Sequence, residues 1–144
     1  MITPETSLKV FLRIAGAICL VAVVPFLMPR AWIVACHAWL GLGAFPEAPI
    51  AEYLARSTSA LCAFYGGLLW VLSGDVRRFA PVITYQAVAI MFLAIVGNVL
   101  SVRCGMPVWW AASDAAGAST IGVVSLVLQW RIRAGDRRGN PQEA

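Results

Sequence analysis

The sequence predicts an all-α fold, an integral membrane four-helix bundle with a short interfacial helix between the first and second spans. Of its 144 residues, 60% are hydrophobic and only 12% are charged, and the mean hydropathy is +0.79. This composition lies well outside that of soluble domains. Four apolar runs also have the length of about 20 residues that a helix needs to cross a bilayer. The third observation is an uneven distribution of basic residues between the predicted loops.

The four predicted spans occupy most of the chain. They cover about residues 8–28, 51–72, 81–101 and 108–130. Pro81 falls in the first turn of the third span, where a helix tolerates proline best. Trp109 and Trp110 begin the fourth span and are typical headgroup anchors. We therefore expect one membrane domain over residues 1–133.

Two shorter segments complete the prediction. Residues 31–40 are too few to span, and Trp32, Cys36 and Trp39 recur in them at helical spacing, so we expect a helix lying in the membrane surface. Residues 134–144 are rich in charged and polar side chains and bury too little apolar surface to order themselves. They are expected to form a mobile cytoplasmic tail.

The basic residues predict the orientation. With four spans, the termini and the loop between the second and third spans share a side. That side holds eight of the eleven basic residues: Lys9, Arg13, Arg77, Arg78, Arg131, Arg133, Arg137 and Arg138. Only Arg30, Arg56 and Arg103 fall on the other side. The positive-inside rule then places both termini in the cytoplasm.

A cleaved signal peptide is the main alternative for the first span, because Lys9 and Arg13 resemble a basic leader region and residues 33–36 resemble a lipoprotein cleavage box. A cleavage site normally adjoins the apolar core, whereas residues 29–32 intervene here. Three remaining spans would also place the C-terminal arginines on the unusual side. The four-span topology is favoured.

Ionisable residues at membrane depth define the candidate site. Arg56 on the second span and Asp114 on the fourth lie at similar depth in the membrane, because both helices enter from the outer side and both residues are a similar number of positions from the helix start. They are candidates for an interhelical ion pair. The full predicted ligand or ion-pair cluster is Glu52, Arg56, Asn98, Asp114 and His37. It can be interpreted as an outward-facing polar pocket or, as we favour, as a pair that locks two helices together.

Small residues every fourth position predict close helix packing. The second span has Ala55, Ser59, Ala63 and Gly67 in this register, and the fourth has Ala111, Ala115 and Ser119. Of the four cysteines, Cys36 and Cys104 both fall on the outer side, which leaves a disulfide between them open. No CxxC motif, phosphate-binding loop or catalytic motif is present, so the sequence predicts no metal, no cofactor and no enzyme.

The segment WLGLGAFPEAPIAEYLARSTSALCAFYGGLLWVLSGDVRRFAPVI, together with GMPVWW before the fourth span, resembles a group of uncharacterised small bacterial membrane proteins. More distantly, the layout of residues 8–130 is similar to the DoxX-like four-helix families. The resemblance implies a four-helix membrane bundle in the bacterial inner (cytoplasmic) membrane. It implies no catalytic or quinone-binding residue.

These observations predict a non-enzymatic membrane protein with a structural or accessory role. A binder of a quinone or lipid in the outward-facing pocket is the first alternative, and a small transporter is the second. The expected partners are the lipid bilayer and either further copies of the chain or another membrane protein. Nucleic-acid binding is not expected, because aromatic and basic residues do not alternate along a polar face.

Overall fold

The computed structural model describes residues 3–139, and in this part of the chain all regular secondary structure is helical. The helices are α1 Pro4–Leu20, α2 Val23–Leu27, α3 Arg30–Trp39, α4 Pro49–Gly74, α5 Ala80–Arg103 and α6 Val108–Gly139. Four segments are long and apolar enough to cross a membrane: Pro4–Leu27, Pro49–Gly74, Ala80–Arg103 and Val108–Arg137. The predicted all-α fold class, with four long apolar helices and a short one between the first two, is confirmed.

The first apolar segment is bent rather than straight. Between α1 and α2 the backbone N–H of Ala22 donates to the carbonyl oxygen of Cys19 at 3.1 Å, which is the i→i−3 hydrogen bond of a 3₁₀ turn. Pro25 explains the break, because its ring clashes with the carbonyl four residues earlier, that of Val21. The sequence shows this proline, but the length of the apolar run does not reveal that the helix is divided.

Glycines in the left-handed region end two of the helices. Gly41, with φ +70°, follows α3, and the N–H groups of Gly41 and Leu42 bond back to Ala38 and His37. Gly105, with φ +71°, ends α5 in the same manner. This is the Schellman arrangement, which satisfies the last carbonyls of a helix and favours glycine. It fixes the loops that precede α4 and α6.

The fourth long helix ends later than expected. The fourth span was predicted to end near residue 130 and the tail to begin at residue 134, whereas α6 continues to Gly139. Asp136 on this extension forms an ion pair with Arg77 at 2.9 Å, which gives the polar end of the helix a partner. Residues 140–144 of the expected tail lie outside the described residues.

The chain divides into two compact units, and the first comprises residues 14–70. Within it, α1 and α4 approach closely at two glycines. A Cβ added to Gly66 would lie 2.6 Å from the carbonyl oxygen of Gly16, and one added to Gly16 would clash with the Trp70 ring. Of the small residues in the predicted stripe on α4, Ala63 is buried, but a Cβ on Gly67 would meet nothing within 4 Å, so the close approach is at Gly66 rather than at Gly67.

The second unit comprises residues 1–13 and 71–144, and its described part is built around α5 and α6. These helices approach closely at Gly122, where an added Cβ would lie 2.8 Å from the carbonyl oxygen of Ala87 and would collide with Met91. Ala87, Ala94 and Ala111 are buried, whereas Phe92 and Ile95 are exposed. Small residues inside and large apolar residues outside are typical of helices that face lipid.

Candidate functional site

The first turns of α4 carry a charge cluster in which Glu52 holds two arginines. Glu52 Oε1 accepts hydrogen bonds from Arg56 Nε at 3.0 Å and from Arg56 Nη2 at 2.9 Å. Its other oxygen, Oε2, accepts one from Arg30 Nη1 at 3.1 Å. Glu52 and Arg56 meet because residues four apart on a helix lie one above the other. Arg30 stands at the start of α3, so the carboxylate connects two helices.

Arg56 also reaches the end of α2. Its Nη1 donates to the backbone carbonyl of Phe26 at 2.7 Å. The last carbonyls of a helix have no partner within the helix, and a cation there is favourable because the carbonyl ends carry negative partial charge. The Arg56 guanidinium therefore joins α2 to α4, and its other two hydrogen bonds hold the Glu52 carboxylate in place.

The loop after α3 folds against the same cluster. His37 Nδ1 lies 3.1 Å from the carbonyl oxygen of Gly43, and since a carbonyl only accepts, Nδ1 is the nitrogen that carries the proton. The His37 ring packs edge-on against Phe45 with ring centres 5.3 Å apart. The Arg30 guanidinium lies over the same Phe45 ring at 5.9 Å, a cation–π contact. His37 is thus a structural neighbour of the cluster through Phe45.

The cluster is partly open to its surroundings and carries an excess of positive charge. The exposed fractions of the side chains are 25% for Glu52, 28% for Arg56 and 42% for Arg30. One carboxylate faces two guanidiniums. Chemically, this arrangement can hold three segments of chain together, and its more exposed arginine can meet an anion.

The remaining predicted site residues, Asn98 and Asp114, lie in the other unit and are both exposed. Asp114 Oδ2 lies 4.0 Å from the position of a Cβ on Gly97, so the Asp114 carboxylate stands at the level of Asn98 along α5. The structure therefore places Glu52 next to Arg56. It places the Asp114 carboxylate near Gly97, the residue before Asn98 on α5. The Arg56–Asp114 pair stays a prediction.

A second charge network was not predicted from the sequence. Arg77, in the α4–α5 loop, donates from Nε to Glu5 Oε2 at 2.8 Å and from Nη1 to Asp136 Oδ2 at 2.9 Å. Glu5 also binds Lys9 at 2.9 Å. The hydrogen bonds from Arg77 to Glu5 and then to Asp136 raise the pKa of Arg77 above its ordinary value. The network joins the first turn of α1, the α4–α5 loop and the end of α6.

The only sequence signal for this network was that all of its residues fall on one predicted side of the membrane. Acidic residues such as Glu5 and Asp136 contribute little to membrane orientation, so the charge distribution does not single them out. Arg77 is 72 residues from Glu5 and 59 from Asp136, so no local spacing indicated either contact. Arg13 Nε donates to the buried Ser73 hydroxyl at 3.3 Å.

No group of three or more His, Cys, Asp or Glu that could hold a metal ion occurs within residues 3–137. No disulfide joins the four cysteines, all of which lie within the described part of the chain. The four long apolar helices are compatible with a multi-pass membrane protein. Comparison with models of known families, with curated proteins and with solved structures finds no match. The DoxX-like resemblance accordingly stays a prediction.

Proposed function

We propose that the chain is a multi-pass protein of the bacterial inner membrane, with both termini cytoplasmic and a non-enzymatic structural or accessory role. The observation that carries the structural role is that Glu52 binds Arg30 and Arg56 together. Ionisable groups near membrane depth often mark a ligand site, but here each charge has a partner of opposite sign within the chain. The cluster is thereby explained without a ligand.

The orientation is supported by the Arg77 network. Four spans require the N-terminus, the α4–α5 loop and the C-terminal helix end to share a side, and Arg77 contacts Glu5 and Asp136 at those places. Eight of the eleven basic residues fall on that side, which the positive-inside rule assigns to the cytoplasm. The Arg30–Glu52–Arg56 cluster then lies at the outer face, beside α3 in the membrane surface.

A binder of an anionic lipid or a quinone at the outer cluster is the second candidate. It is favoured by the positive excess of the cluster and by the exposure of Arg30, whose side chain is 42% accessible. In this case the cluster would serve to present a guanidinium outward. The small-transporter alternative stays a prediction with no contact in its favour among the described residues.

The variant Glu52→Gln separates these candidates. A structural cluster predicts a lower melting temperature in delipidated detergent, because two guanidiniums then lose their carboxylate. The matched control is Glu47→Gln, an exposed carboxylate in the preceding loop with no ion pair among the described residues. Unchanged stability of Glu52→Gln, combined with loss of co-purifying lipid or quinone in native mass spectra, would favour the binding role instead.

A further inference from the structure

A cavity opens between the start of α5 and the end of α6, and none of its lining residues belongs to the site predicted from the sequence. Its volume is about 270 Å³. Its polar lining consists of the side chains of Arg77, Arg133, Asp136 and Gln129, and its apolar lining includes Val76 and Ile132. A space of this size is near the lower end of known ligand pockets and suits a headgroup rather than a large molecule.

Arg133 is the cation in this lining that has no carboxylate partner among the side chains that the structure describes. Its one hydrogen bond within residues 3–137 is a long contact of 3.4 Å from Nη2 to Thr84 Oγ1. A guanidinium has five N–H donors, so most of those of Arg133 remain available. The side chain is exposed and can meet a ligand without rearrangement of the core.

Arg77 stands on the other side of the cavity and is held in place. Its bonds to Glu5 and Asp136 use Nε and Nη1, which leaves Nη2 as a donor. With Glu5 and Lys9 of the Arg77 network included, the groups at the cavity carry three positive charges (Arg77, Arg133 and Lys9) and two negative charges (Glu5 and Asp136), a net charge of +1. An anion with a single negative charge complements this balance, and two guanidiniums are well suited to phosphate oxygens.

The floor of the cavity is fixed by a buried amide. Gln129 is only 4% exposed, and its Nε2 donates to the carbonyl oxygen of Ala80 at 2.9 Å. Its Oε1 accepts from Thr84 Oγ1 at 2.7 Å. These bonds tie the first turns of α5 to α6, so the spacing of the two helices at the cavity is set by the protein.

The position of the cavity favours a lipid phosphate. It lies where α5 begins and the apolar part of α6 ends, and the exposed Trp130 on α6 is a residue typical of the headgroup region. Basic pockets between membrane helices at this level bind anionic headgroups. We propose that Arg133 and Arg77 bind the phosphate of an anionic phospholipid in this cavity. The proposal requires only that this end of the helices lies among headgroups, in either leaflet.

The test compares Arg133→Gln with Arg131→Gln by native mass spectrometry of protein released from nanodiscs of phosphatidylglycerol or phosphatidylcholine. Arg131 is the matched control, since it is exposed, two residues away and absent from the cavity lining. We expect retention of phosphatidylglycerol by the wild-type protein and about fivefold weaker retention by Arg133→Gln, the effect of one arginine near a lipid phosphate. Arg131→Gln should retain the lipid as the wild type does, and Arg133→Lys should restore part of the loss.

Several outcomes would overturn the proposal. Equal losses in both glutamine variants would show a diffuse surface attraction rather than a site. Equal retention of phosphatidylcholine would exclude selection of an anion. Displacement of the lipid by millimolar inorganic phosphate, with phosphate alone raising the melting temperature, would identify a site for the free anion. Because the readout is lipid retention in nanodiscs, failure here leaves the Glu52→Gln result unaffected.

Discussion

Arg77 Nε lies 2.8 Å from Glu5 Oε2, so the loop after α4 is bonded to the first turn of α1. The same guanidinium binds Asp136 near the end of α6. Three segments far apart in sequence are therefore fastened at one end of their unit. This contact connects the stability of the fold to its orientation, because four spans require these same segments to share a side.

Loss of the Arg77 network should lower stability. We expect Arg77→Gln to reduce the melting temperature in detergent, because two carboxylates then lose their shared partner. Arg78→Gln is the control, with the same change in charge at the next residue, whose guanidinium lies over the Phe79 ring. Since the groups are at the surface, added salt should reduce the difference between the variants. Equal melting temperatures at low salt would show that the network contributes nothing.

Close packing at Gly66 gives a second prediction. An added Cβ would lie 2.6 Å from the Gly16 carbonyl oxygen and 2.8 Å from the Leu20 nitrogen, and backbone atoms cannot move aside cheaply. Gly66→Ala should therefore destabilise the fold by about 1–3 kcal/mol, the usual cost of overpacking. Gly67→Ala, with nothing within 4 Å, should be neutral or stabilising by up to about 1 kcal/mol. Thermal unfolding in detergent measures both, and the reverse order would contradict the described register.

The predicted pair of Arg56 and Asp114 is tested by a double-mutant cycle. Stabilities of Arg56→Leu, Asp114→Leu and the double variant would be compared in detergent. If the residues interact, the double variant loses less than the sum of the single losses, with a coupling of at least about 0.5 kcal/mol. A cycle of Arg56→Leu with Glu52→Gln is the positive control, since that pair is in contact at 2.9 Å. Coupling to Glu52 without coupling to Asp114 would refute the predicted interhelical pair.

The sequence predicted the long helices well because apolar run length is a direct requirement of the bilayer. It predicted a helix over residues 31–40 because Trp32, Cys36 and Trp39 recur at helical spacing, and α3 covers Arg30–Trp39. The sequence did not predict which face of a helix packs closely, because that depends on tertiary contacts. The choice between Gly66 and Gly67 is a rotation of about 100° around the helix, which a repeat of small residues cannot resolve without the partner helix.

The candidate site was predicted in part for a similar reason. Glu52 and Arg56 are four residues apart on one helix, so their contact follows from local geometry. The contacts of Arg30 with Glu52 and of Arg77 with Asp136 join residues 22 and 59 positions apart. No spacing rule reaches that far. Charge sign alone would allow many such pairs, and only the folded chain selects among them.

The central claim is a chain of four spans with the termini and the α4–α5 loop in the cytoplasm. The most direct measurement is a set of paired fusions to green fluorescent protein and alkaline phosphatase placed after Gly74, after Gly105 and at Ala144. We expect fluorescence without phosphatase activity at Gly74 and Ala144, and phosphatase activity without fluorescence at Gly105. The reason is that the side with the termini and the α4–α5 loop carries eight of the eleven basic residues, and the positive-inside rule assigns that side to the cytoplasm. Phosphatase activity at Gly74 or Ala144 would contradict the topology.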